Sequence, residues 1–318
     1  MLSFYEAQAR NVRMSRLLFA LLLLVFLLFG SAIGGAYGNP GYGVLLGIAL
    51  YAILASAAWF NGSPIVLSIH GAREADPETH RRLLNVVDEM RIASGLPMPR
   101  VYLMESDGMN AFAAGRNPGE AAVAVTRGLI ARLTREELQG VIAHEMAHIR
   151  SRDTLYNICA AVLVGSIALL ADMFLRGTAF GGRRQGGRAG RGNAAFLLLG
   201  ILFAILAPVA AKVLQMSISR QREYHADAGA AELTRNPLGL AAALEKISQG
   251  GSGVPGRNRG TQHLFIVNPV SRFTESSTAL LSTHPPTSLR IQRLKAMAGT
   301  GAFPGPRSGE RPSPGGPG

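Results

Sequence analysis

Residues 17–69 include no Asp, Glu, Lys or Arg. That run is too long for the apolar part of a secretory signal, which is about 7–15 residues. It is interrupted by a turn-forming cluster of Gly34, Gly35, Gly38, Asn39, Pro40 and Gly41. Two stretches remain, residues 17–36 and 42–60, each near the ~20 residues with which a helix crosses about 30 Å of hydrocarbon. Two further uncharged blocks lie at 154–171 and 193–211. The pattern predicts a polytopic membrane protein with about four transmembrane helices. The GxxxG spacings Gly30/Gly34 and Gly43/Gly47 would let the first two pack closely.

With 48% apolar and 16% charged residues, the chain is no disordered tail protein. Its net charge of +12 suggests a polyanion. The basic residues sit beside apolar blocks and in Gly-rich loops without interleaved aromatics, so anionic lipid headgroups, not nucleic acid, are the expected counter-charge. The Arg-Gly tract at 181–192 is read the same way, as a connector between spans. A single cysteine, Cys159, excludes an intrachain disulfide and a thiolate metal cluster.

Arg10, Arg13 and Arg16 precede the first span, and the loop after it has no charge, so the amino terminus is expected in the cytoplasm. A return crossing leaves the next polar segment there too. Arg176, Arg183, Arg184, Arg188 and Arg191 in the loop between blocks three and four run against this tendency. Either the first hairpin dominates the topology, or the second dips in without crossing. The expected organisation is a cytoplasmic segment 1–16, a membrane hairpin 17–60, a cytoplasmic segment 61–153, a second hairpin 154–211 with the Arg/Gly loop 176–193, a cytoplasmic segment 212–298 and a disordered Gly/Pro-rich tail 299–318.

The polar segments read as folded domain, mostly α with a small β-sheet. Asp76-Pro77 marks a helix start, with Leu83, Leu84, Val87 and Met90 at helical spacing before Gly95 and Pro97. Two or three strands are expected between 100 and 126. Thr134-Arg-Glu-Glu137 is a capping box opening a helix that runs through Ile149. A long helix is expected over 212–233, with shorter ones near 238–248 and 286–297.

The capped helix carries His144-Glu145-Met146-Ala147-His148. Side chains four apart share a helix face, so both imidazoles can reach one cation with Glu145 beside them. Zinc suits two such nitrogens plus a carboxylate and leaves a place for water, whose proton Glu145 can take as a general base. Chance placement gives such a pattern in roughly one chain of this composition in 150. A third protein ligand is needed. The best candidate is Glu223 in Ser219-Arg-Gln-Arg-Glu223-Tyr-His-Ala-Asp227, with Asp227 one turn on, able to hold a ligating His by its other ring nitrogen. His225 is the rival, although at i+2 it faces away from Glu223 and Asp227. Tyr224 is turned about 100° from Glu223. His70, His80 and His263 have no motif partners and are expected at surfaces or interfaces. Asn110, after Gly108, reads first as a turn residue, and His284, before two prolines, as a loop residue.

An HExxH helix after one membrane hairpin, then a second hairpin, then the Glu223–Asp227 segment, resembles the HtpX-type membrane metallopeptidases over residues 10–298 and, more distantly, the CAAX prenyl proteases. Asn110-Ala111-Phe112-Ala113 and Thr283-His284-Pro285-Pro286-Thr287 also look like elements of that family. The resemblance implies a zincin-like domain with one zinc ion held by His144, His148 and Glu223, and Glu145 as base. It also implies an Asn-Ala-Phe segment leading into a cleft-edge strand where a peptide adds, with His284 orienting substrate or stabilising an oxyanion.

The residues read as a zinc endopeptidase with its site at the cytoplasmic face; the resemblance implies a bacterial inner membrane and membrane or misfolded proteins as substrates. The alternatives are a membrane scaffold with a structural metal, which would have no use for Glu145, and a prenyl-protein processing protease.

Overall fold

The charge-free run folds as two long helices, α1 (Phe4–Ala36, 33 residues) and α2 (Pro40–Ile69, 30 residues), in a computed structural model that describes residues 4–36, 38–162, 165–167, 220–250, 264–266 and 285–299. Both are long and apolar enough to cross a membrane. They extend well beyond the expected spans, because α1 begins in the polar residues before Leu17 and α2 continues past Phe60. Asn39 caps α2, its side-chain oxygen accepting from Gly41 N at 3.0 Å. The helices touch through glycine: a methyl group on Gly30 or Gly43 would fall on the other's carbonyl oxygen. A shorter apolar helix, α6 (Asp153–Ile167), covers most of the third block. Its Leu155, Tyr156, Cys159 and Ala160 pack on Leu18, Leu22, Val25 and Phe26 of α1. The fourth block, the Arg-rich loop and the tail lie outside the described residues.

After α2 come β1 (Arg73–Glu74), α3 (Arg81–Ser94), β2 (Arg100–Met104), β3 (Ala111–Ala114), β4 (Ala122–Thr126), α4 (Arg127–Arg132) and α5 (Arg135–Arg150). The sheet order is β1-β2-β4-β3, with β2 and β4 parallel and the other pairs antiparallel. Where two or three strands were expected there are three, and the two-residue β1 is an addition. The helix start assigned to Asp76-Pro77 is corrected. Asp76 instead closes a turn, its carboxylate accepting from Glu78 N at 3.0 Å and Thr79 N at 2.7 Å, and the helix begins at Arg81. A short Asp can bond its own backbone two or three residues on, which favours a turn.

Period-two alternation splits the sheet between two cores. Val101, Leu103, Ala111, Ala113, Val123 and Val125 face a layer with Leu83, Val87 and Met90 of α3 and Leu138, Val141 and Ile142 of α5. The other parity, Met104, Phe112, Ala114, Ala122 and Ala124, faces Val66 and Leu67 at the end of α2, together with Leu264 and Phe265. The sheet is thereby clamped between the polar domain's helices and the end of the second apolar helix. His70, expected at a surface or an interface, lies in this second layer. It is 2% exposed and meets Phe112 and Phe265 edge-on at 5.7 and 4.9 Å, an amphipathic ring at home among aromatics.

The chain resumes with α7 (Arg220–Thr234), α8 (Pro237–Gly250) and α9 (Thr287–Gly299). Gly140 of α5 lets α8 approach until Leu240 N is 2.6 Å from where a Cβ would stand. That contact seats α5 deep in the core, with its HExxH turns buried.

Candidate metal centre

The helix that bears the paired histidines is fixed at its start by the expected capping box. Thr134 Oγ1 accepts from Glu137 N at 3.3 Å, and the Glu137 carboxylate accepts from Thr134 N at 2.7 Å. Glu137 is also bonded by Lys246 of α8 at 2.8 Å, which ties the cap to a neighbouring helix. Four residues of spacing then stack His144 and His148, and their Nε2 atoms lie 3.2 Å apart.

Helix α7 delivers Glu223 to the same point. Its carboxylate oxygens stand 3.8 Å from His144 Nε2 and 3.7 Å from His148 Nε2. Bonds of about 2.0–2.1 Å to a tetrahedral cation would separate ligand atoms by roughly 3.3 Å. Two nitrogens and an oxygen already near that spacing, one carboxylate beside two imidazoles, suit a zinc-like divalent ion. His144, His148 and Glu223 are the set that converges on one point. The rival, His225, instead borders a separate small cavity with Ala7, Arg10 and Asp153, so it does not join the set. Tyr224 faces away too, with the Arg293 guanidinium 3.7 Å from its ring centre.

Each imidazole has its own carboxylate behind it. Asp227 Oδ1 lies 3.1 Å from His144 Nδ1, and Asp153 Oδ2 lies 3.0 Å from His148 Nδ1. Such a contact fixes the tautomer that presents Nε2 to a cation. Arg290 of α9, 1% exposed, grips Asp227 with two bonds of 2.9 and 2.7 Å and reaches Glu223 at 3.3 Å. A further bond runs to the Ile266 carbonyl at 2.8 Å, and Nη2 also lies 3.4–3.5 Å from the ring nitrogens of His144. Asp153 and Arg290 were not picked out from the sequence. Asp153 follows the second histidine by five residues, and that closeness was the available signal; Arg290 had none in the local pattern.

Glu145 is 2% exposed. Burial, helped by Glu223 and opposed by His148, Arg290 and the Ala113 N–H, raises its carboxyl to about 7. Its Oε1 has no hydrogen-bond partner among the described residues. With His148, Glu223, Ala113 and Ile266 it lines a cavity of about 10 Å³, on the order of a single water. Burial also dominates at His144, lowering it to about 4 despite Asp227. At His148 burial is outweighed by Asp153 and the nearby acids, and the ring is raised to about 9.

Asn110 immediately precedes β3, and Ala111, Phe112 and Ala113 lie within it. All are buried. Asn110 Oδ1 accepts from Ala111 N at 3.1 Å, and its backbone N–H donates to Thr126 Oγ1 at 2.9 Å. Strand β3 is the sheet's edge. Its outer side is met by the chain itself, since Ile266 N donates to Ala111 O at 3.0 Å. Phe112 points to the opposite core, against His70 and Phe265, and not toward His144 and His148. His284 lies outside the described residues.

Residues 77–298 match the model of peptidase family M48. The chain belongs to peptidase family M48. M48 relatives named protease HtpX homolog align over nearly the whole length. One from Caldanaerobacter subterraneus is 40% identical over 92% of this chain and 97% of its own, and one from Salinibacter ruber is 42% identical over 89% and 96%. A third, from Lactobacillus helveticus, is 38% identical over 92% and 99%. The solved structure of S. mikatae Ste24p aligns with a TM-score of 0.49 at 14% identity, covering 91% of this chain and 67% of that one. As an M48 member of the HtpX type the protein is a metallopeptidase, and the M48 assignment implies a catalytic metal; His144, His148 and Glu223 form a candidate site for one.

Proposed function

We propose that this M48 metallopeptidase is a zinc-dependent endopeptidase of a bacterial inner membrane, with its site on the cytoplasmic face, and that it hydrolyses membrane or misfolded proteins. The observation that carries the chemistry is the convergence of His144, His148 and Glu223 beside the buried Glu145. A purely structural ion would have no use for that acid. Two helices of spanning length support the membrane placement, and Arg10, Arg13 and Arg16 before an uncharged loop support the orientation.

His144 and His148 would hold the ion through Nε2 and Glu223 through its carboxylate, with Asp227 and Asp153 accepting from the Nδ1–H groups. When bound, zinc supplies a Lewis acid that brings the pKa of its water near 7. Glu145 is placed to take a proton from a water in this cavity and to deliver it to the departing amine. The Ala113 N–H holds one side of that carboxyl. Because burial raises Glu145, its proton is held firmly enough to be passed on near neutral pH. Arg290 keeps Asp227 ionised in a buried setting and thereby keeps His144 oriented. A peptide pairing along the outer side of β3 would compete with Ile266 for the Ala111 carbonyl, bringing its scissile bond toward Glu145. Asn110 holds the start of that strand in place.

Purified protein in detergent tests the reading. Cleavage of an unfolded protein such as casein should stop on chelation and return with zinc. Full activity after complete metal removal would overturn it.

A further inference from the structure

Asp153 stands where the polar domain meets the apolar helices. One of its oxygens faces His148, and the other accepts a 2.6 Å bond from the side-chain amide of Asn11 on α1. The same nitrogen donates to the Ser151 carbonyl at 2.9 Å, and Ser151 Oγ donates to Asp153 Oδ2 at 2.8 Å. Asn11, Ser151 and Asp153 are 3%, 7% and 3% exposed. Asn is a poor helix former whose amide is costly to bury unless bonded. Its seat on α1 is explained by these contacts and not by helix propensity. One turn on, Ser15 Oγ donates to the Asn11 carbonyl at 2.8 Å.

The plane of a carboxylate that accepts from an imidazole sets the direction of the far ring nitrogen. Asp153 opens α6 directly after a left-handed residue, Arg152 (φ 56°), and its carboxylate is held by side-chain bonds. Asn11 and Ser151 supply them. Asn11 and Ser15 are four positions apart on one face, and Leu18, Leu22 and Val25 of the same helix pack on α6. A rigid helix thus joins the apolar bundle to the support of one histidine.

We propose that Asn11 of the first apolar helix is a positioning residue for metal binding by His148, acting through Asp153. The inference rests on the metal-site reading above. It makes the seating of α1 a determinant of how tightly the site holds its ion.

The test is zinc affinity of the full-length protein in detergent, by competition with a chromophoric chelator. Asp153→Ala is expected to weaken zinc binding about 10–100-fold, and Asn11→Ala about tenfold. In the Asp153→Ala background, Asn11→Ala should change affinity by less than about twofold, because the route runs through Asp153. Cobalt-loaded Asn11→Ala should show shifted d–d bands, which a role in helix packing alone would leave in place. Should Asn11→Ala fail to fold, Asn11→Asp keeps the side chain's size while turning a carboxylate onto Asp153. Its loss of affinity should be recovered by Asp153→Asn, whose amide can donate to residue 11 while its oxygen still accepts from His148. Equal losses in both backgrounds, or wild-type affinity in the Asn11 variants, would overturn this inference alone. A wild-type protein that binds no zinc would overturn the site reading together with it.

Discussion

The two imidazoles of the HExxH pair are held in different ways. His144 is wholly buried, its Asp227 clamped by Nε and Nη2 of Arg290, and burial lowers it to about 4. His148 keeps 14% of its side chain exposed, its Asp153 lies 3.9 Å from Arg222, and the surrounding acids raise it to about 9. The first support is built from α7 and α9 of the polar domain. The second is built at the junction with the apolar helices, where Arg222 also lies 4.4 Å over the Tyr156 ring of α6. One pair of ligands therefore has two anchorages, and a disturbance of the apolar half should reach His148 before His144.

The largest effect lies where both halves converge. Glu145→Gln should lower kcat by about 10²–10⁴-fold while elemental analysis still finds bound metal, since both anchorages survive. Next, Asp227→Ala and Asp153→Ala should separate the halves. Both should loosen the metal, but Asp227→Ala also strands the buried Arg290 charge and should cost about 3–5 kcal/mol in stability. Thermal unfolding read beside chelator competition distinguishes them, and equal destabilisation by the two variants would break the comparison. A change confined to the apolar half, Gly43→Leu, pushes α1 and α2 apart at a contact that has no room for a side chain. It should cost about 1–3 kcal/mol by denaturant titration. The smallest effect belongs to Arg152→Gly at the corner before Asp153. Relief of the left-handed strain is offset by added freedom of the unfolded chain, so stability should move by about 1 kcal/mol at most. Zinc affinity should stay within about twofold of wild type.

The parts of the centre visible in the sequence are those whose signal is local. The capping box, the spacing of His144 and His148, and the shared face of Glu223 and Asp227 all follow from one helix period, and the structure has each in place. Short apolar and β-branched runs bounded by Gly and Pro marked the strands at 100–126, again a local signal. Arg290 and Asn11 escaped notice because their partners are 63 and 142 residues away in the chain, where periodicity carries no information. Asp153 was hidden at the border of an apolar block, where it read as the edge of a span. Asp76 misled because its side chain favours a turn as readily as a helix start. His70 lacked a motif, and only the sheet's second core reveals why a buried ring belongs there.

The central claim is that His144, His148 and Glu223 bind one zinc ion. Zinc-edge X-ray absorption on the full-length protein tests it most directly. The expected result is one zinc per chain with two imidazole nitrogens and oxygen donors at about 2.0–2.2 Å, and an altered ligand shell in Glu223→Ala. A sulfur shell, a protein without stoichiometric metal, or a spectrum unchanged by Glu223→Ala would contradict it.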